Sequence, residues 1–98
     1  MSTLHLVNSS PSSDGSLAAC LRSASDGDAV LLFEDGVYAA LATVAAALRV
    51  PAGVQLHVLE PDARARGLTG RMQDDILGVD HDGFVRLTVE HERVVTWL

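Results

Sequence analysis

The run Ala29-Val30-Leu31-Leu32-Phe33 is apolar at every position and stops at Glu34-Asp35-Gly36. A strand with one wet face alternates apolar and polar residues, whereas a strand covered on both faces does not. This run therefore belongs inside a sheet with helices on each side. The rest of the chain fits that frame. Residues 4–7 (LHLV) predict a first strand, closed by the turn-forming Asn8-Ser9-Ser10-Pro11. A helix follows, opened by Ser13 or Asp14 and running to about Ala24. Its apolar positions Leu17, Cys20, Leu21 and Ala24 lie three or four apart and share a face. Residues 54–59 predict a third strand, 61–66 a helical turn, 76–79 a fourth strand, 83–90 a helix and 94–98 a last short strand. The segment 62–75 leaves one helix, two short helices or loop open. The alternation predicts an α/β fold, a single small doubly wound and mostly parallel sheet in three layers. Residues 1–98 read as one domain, without repeat or linker.

Residues 37–48 predict a second helix from their Ala content and lack of breakers. Such a helix is apolar nearly all round, which usually means burial on every side. A domain of 98 residues has little room to surround it. One face is therefore expected on the sheet and the other on a partner chain. Val94-Val95-Thr96-Trp97-Leu98 points the same way, because an apolar tail ending in Trp-Leu is costly unless docked.

Charge and composition remove several function classes. The net charge is -6, and the basic residues are seven Arg with no Lys. Direct nucleic-acid binding wants basic stripes that this chain lacks. Schiff-base chemistry and lysine-dependent phosphate loops are excluded as well. One cysteine cannot form an internal disulfide. The longest apolar run falls well short of the ~20 residues that span a bilayer, and no signal-peptide pattern is read. The expectation is a soluble cytoplasmic protein with no membrane partner.

Candidate chemistry is sparse. Cys20 lies on the apolar face in the middle of its helix, where a buried small hydrophobe is the plain reading and a reactive thiolate the sharper one. Glu34-Asp35-Gly36 sits at the C-terminal end of a central strand, where open parallel sheets place their ligand crevices, although Asp35 and Gly36 also suit a strand-to-helix turn. The hydroxyl-rich loop of residues 9–16 has the character of a flavin or nucleotide phosphate loop, but carries Asp14 and few aromatics accompany it. Arg64, Arg66 and Arg71 around Gly67 and Gly70 read as a solvated or interface loop. Asp74, Asp75, Asp80, His81 and Asp82 match no strong ligand spacing, and His5, His57 and His91 stand singly. No metal and no cofactor are expected.

Several segments in order, LHLVNSSP at the start, FEDGVYAAL, PDARARGL, and FVRLT followed by a terminal WL, resemble the DsrH/TusB family over nearly the whole chain. The resemblance implies a flavodoxin-like, DsrE-like subunit of a heterohexameric sulfurtransferase. It implies two homologous partners, DsrE/TusD-like and DsrF/TusC-like, and a DsrC/TusE-like carrier that receives persulfide sulfur. DsrH-type chains serve intracellular sulfur oxidation and carry a cysteine in the first helix, where Cys20 stands; LLFEDGVYAAL also looks closer to that branch. TusB-type chains serve thiouridine formation in tRNA. The resemblance thus offers Cys20 as a persulfide carrier, alongside two further readings: a purely structural subunit, and a small flavin- or nucleotide-binding module.

Overall fold

The computed structural model describes residues 2–97. Five strands form one sheet: β1 (Thr3–Val7), β2 (Ala29–Leu32), β3 (Gln55–Leu59), β4 (Leu77–Val79) and β5 (Arg93–Trp97). Their spatial order is β4-β3-β2-β1-β5, and every pairing is parallel. The helices are α1 (Ser16–Ser23), α2 (Ala42–Ala45), α3 (Glu60–Ala65) and α4 (His81–Glu90), with a 3-10 segment at Glu34–Ala40.

The winding explains the layers. From β1 to β4 the chain steps across the sheet in one direction, so right-handed crossovers place the connecting helices on one face. From β4 it returns past β1 to form β5, which reverses the step and puts α4 on the other face. The side chains agree. Val7, Val30, Leu32, Leu56 and Val58 pack with Leu17, Cys20 and Leu21 of α1 and Ala63 of α3. Leu4, Ala29, Leu31 and Leu59 pack with Leu87 of α4. All of β2 is buried, as its unbroken apolar run requires. The sheet is doubly wound and lies between helical layers.

The expected helix over residues 37–48 is not formed as one piece. Leu41 is extended and bridges antiparallel to Met72. The Ala42 N–H donates to Arg71 O at 3.1 Å and the Gln73 N–H to Ala40 O at 2.9 Å. Pairing with residues 71–73 thus overrides the helix propensity of alanine and splits the segment into a 3-10 stretch and a short α2. Val37, Ala39, Ala40 and Ala45 are buried in the chain's own core, while Ala42, Thr43, Ala46 and Ala47 face outward. The first helix starts slightly later than expected. Gly15 is its N-cap, and Asp14 Oδ1 accepts the Ser16 N–H at 3.0 Å. At α4 it is Asp80 that caps, accepting the Gly83 N–H at 2.8 Å.

The last strand forms as expected, with Leu98 outside the described residues, but its apolar side chains are not all left for a partner. Trp97 docks on its own sheet and packs against the α1-side core rather than waiting for a partner. Val94 and Val95, by contrast, stay 44% and 41% exposed on the sheet edge.

Candidate functional site

Cys20 is fully buried, between α1 and the sheet. Burial first, and then the Asp28 carboxylate, push its thiol up to about 12. A low-dielectric site disfavours the thiolate, and a nearby negative charge disfavours it again. The helix N-terminus, which would stabilise a thiolate, is a full turn away. In this conformation the residue offered by the resemblance is held as a neutral thiol.

Beside it lies a polar cluster that sequence reasoning passed over. Asp28 opens β2 and is buried, as is His5 in β1. Asp28 Oδ2 accepts from the Ser25 N–H at 3.0 Å and Oδ1 from the Thr3 N–H at 2.9 Å. His5 Nε2 lies 3.1 Å from Asp28 Oδ2, and Trp97 Nε1 donates to His5 Nδ1 at 3.1 Å. An indole N–H only donates, so Nδ1 must accept and the proton of the neutral ring sits on Nε2, which donates to Asp28. Burial works against the Asp28 charge, but the Ser25 N–H, His5 and the Thr3 N–H outweigh it and hold the carboxyl below its ordinary range. In the sequence His5 stands singly, and Asp28 belongs to the turn-forming Asp26-Gly27-Asp28. The signal that unites them is the parallel register, Leu4 on Ala29 and Val7 on Trp97, which no local pattern reveals.

A second polar group sits at the C-terminal ends of β1, β2 and β3. Glu34 adopts φ 49°, a left-handed conformation uncommon for a side-chain-bearing residue. Its N–H donates to Asp62 Oδ2 at 2.7 Å, and Asn8 Nδ2 approaches its Oε1 at 3.4 Å. Arg66 bridges the group, from Nε to Asp35 Oδ1 at 3.0 Å and from Nη1 to the Asp62 carbonyl at 3.2 Å. The Arg66–Asp35 pair is partly exposed and contributes about 0–1 kcal/mol. Of the arginines considered together from sequence, Arg66 alone joins this group. Gly36 closes it by backing onto the end of β1, with its N–H donating to Asn8 O at 3.1 Å.

The serine-rich loop satisfies itself. Ser9 Oγ donates to Asp14 Oδ1 at 3.1 Å and Ser13 Oγ to Ser10 O at 2.9 Å. The Ser16 N–H, then the Ser16 and Ser9 hydroxyls, hold the Asp14 carboxyl below its ordinary range despite desolvation. A carboxylate already occupies the first free N–H of α1, where a phosphate would have to sit. The acids and His81 near α4 do not converge either: Asp80 caps the helix and Asp75 accepts from Gln73. No group of three or more His, Cys, Asp or Glu able to hold a metal ion occurs among the described residues. No helix among them is long and apolar enough to cross a membrane.

On the other face of the sheet, His57 Nδ1 is buried without a hydrogen-bond partner. Burial and the neighbouring His91 push its imidazole below the ordinary value, with Glu90 opposing. Outside it, α4 turns Val85 and Val89 to solvent, 58% and 79% exposed.

Comparison with known proteins places these features. A sequence model of the family described as DsrH like protein matches residues 9–94. Protein TusB of Pectobacterium parmentieri is 43% identical over 95 residues, covering 96% of this chain and 99% of that protein. Protein TusB of Escherichia coli O81 (strain ED1a) is 43% identical over 96 residues with the same coverage. Among solved structures, the ychN protein from E. coli superposes with a TM-score of 0.72 at 18% identity, over 98% of this chain and 99% of that one. Protein Tm0979 from Thermotoga maritima gives 0.65 at 22% identity, over 89% and 91%. At those identities the two structures show a shared fold alone. By the span of the family match and the near-full-length identity of its relatives, the chain belongs to the DsrH/TusB family.

Proposed function

We propose that this chain is the small subunit of a cytoplasmic sulfur-relay assembly and works mainly through that assembly. Its companions are DsrE/TusD-like and DsrF/TusC-like chains, and the complex hands persulfide sulfur to a DsrC/TusE-like carrier. The observation that carries the reading is the near-full-length identity to TusB proteins. The geometry supports it. Val85 and Val89 on α4 and Val94 on the β5 edge leave apolar surface that a small domain gains by covering.

Two physiological branches remain distinct. The name shared by the 43% identical relatives favours the TusB branch, thiouridine formation in tRNA. The cysteine in the first helix favours the DsrH branch, intracellular sulfur oxidation. Because a residue so deeply buried serves packing whether or not it carries sulfur, we weight the relatives and take the tRNA branch. Cys20 enters this reading as a packing residue; the carrier role that the resemblance offers would require α1 to open first.

Purification of the tagged chain from its own cells, with native mass measurement, tests the assembly. Two related α/β chains in equal ratio are expected, and a monomer or homodimer without them would sink the proposal. Deleting the gene then separates the branches. Loss of 2-thiouridine from tRNA supports the reading taken, whereas intact thiouridine with impaired sulfur oxidation supports the other.

A further inference from the structure

Between α1 and the stretch that follows α2 lies an open, mainly apolar groove of about 610 Å³. Ala18, Leu21 and Arg22 form one wall, and Leu48, Arg49 and Val50 the other. Leu21 is buried at its base, and Val50 is 38% exposed on its rim. Both guanidiniums are exposed. Among the described residues neither Arg22 nor Arg49 makes an ion pair or a side-chain hydrogen bond.

That pairing of charge and apolar surface is out of keeping with the rest of the molecule. Acids outnumber arginines 13 to 7, yet two unneutralised arginines and no acid line this groove. An apolar base rewards an aliphatic side chain, and planar guanidiniums reward carboxylates by charge-assisted, two-pronged hydrogen bonds. Charges on a groove rim set register and partner choice more than raw affinity. Beyond Leu48 and Val50 the surface turns polar and carries Asp75, whose Oδ1 accepts from Gln73. Carboxylates of a docked segment are therefore favoured beside Arg22 and Arg49 and disfavoured towards Asp75.

We propose that this groove docks an acidic amphipathic segment of a partner protein. An aliphatic side chain seats on Leu21, Leu48 and Val50, and carboxylates beside it pair with Arg22 and Arg49. The inference does not depend on sulfur chemistry, so it stands or falls separately from the relay reading.

The test is an amide NMR titration of the full chain with two synthetic helical peptides. One is built of Leu and Glu in an amphipathic pattern; the other has Lys in place of Glu. The acidic peptide is expected to shift Ala18, Leu21, Leu48 and Val50. Its affinity is expected to fall by about tenfold or more in the Arg22→Glu, Arg49→Glu double variant, and again as salt rises from about 50 to about 300 mM. The lysine peptide is expected to leave these resonances unmoved. Should the double variant fail to fold, Arg22→Ala with Arg49→Ala carries the same comparison. Equal binding of both peptides, shifts confined to another surface, or no binding would overturn the proposal. So would shifts of the same residues with protein concentration alone, which would assign the groove to a second copy of this chain.

Discussion

The Trp97 indole donates its N–H to Nδ1 of His5, 92 residues away in sequence, at 3.1 Å. This contact ties the last strand to the first and leaves His5 Nε2 to donate to Asp28. Asp28 in turn holds the N–H groups of Thr3 and Ser25. The network therefore joins both ends of the described chain to the turn before β2. Trp97→Phe keeps much of the ring packing but removes the donor, leaving a buried acceptor on His5. A loss of about 1–3 kcal/mol is expected, read as a lowered urea midpoint at unchanged slope. Hydrogen exchange should accelerate at Val94–Thr96 before it does in β2, since β5 is an edge strand. Uniform acceleration across the sheet would deny the network its special hold on β5.

Cys20 provides a test of chemistry against packing. With its thiol pushed up to about 12, alkylation in native conditions at neutral pH should be slow and become fast in denaturant. Stability should also respond to alkali. Above pH 9 the unfolded chain loses this proton first, so stability falls as pH rises from about 9 towards 12. Cys20→Ala should remove that part of the alkaline loss while costing about 1 kcal/mol or somewhat more from the missing packing. Rapid native labelling would return Cys20 to the list of reactive thiols.

The fold was largely legible because its strongest signals are burial signals. The run at Ala29–Leu32 could only be an inner strand, and each following helix or turn alternated with a strand as a parallel sheet demands. Two things were not legible. The segment 37–48 looked helical because alanine propensity is local, whereas its interruption at Leu41 comes from pairing with residues 71–73. The His5–Asp28–Trp97 network depends on strand register, which sets neighbours across 23 and 92 positions and leaves no mark on local composition. Cys20 lies between these cases: its spacing with Leu17 and Leu21 announced the buried face it occupies, while its candidacy as a persulfide carrier came from resemblance.

Acid should destabilise the fold through His57. Burial and His91 lower its pKa in the folded chain from the ordinary 6.5, with Glu90 in partial opposition. Below about pH 6.5 the unfolded chain therefore binds a proton that the folded chain refuses. Stability falls with pH from there down to the folded value, and only below it does the slope vanish. His57→Phe removes the titration and the orphaned Nδ1 together, so the difference in urea midpoint between pH 7 and pH 5 should shrink. An unchanged difference would place the acid sensitivity elsewhere.

Gly36 fixes the turn that assembles the polar group at the strand ends. A Cβ added there would fall 2.2 Å from the carbonyl oxygen of Val7 and 3.0 Å from its carbon. Both are backbone atoms of a buried strand, so neither can move aside as a flexible side chain would. Gly36→Ala should cost about 2–3 kcal/mol by overpacking and should loosen the contacts of Glu34 with Asp62 and Asn8. Gly15→Ala is the matched control, because a Cβ at Gly15 meets nothing within 4 Å and its backbone needs no left-handed conformation. Thermal unfolding of the two variants side by side decides the point. A similar small change in both would mean that β1 yields at Val7, and that the close approach of Gly36 does not hold the strand ends together.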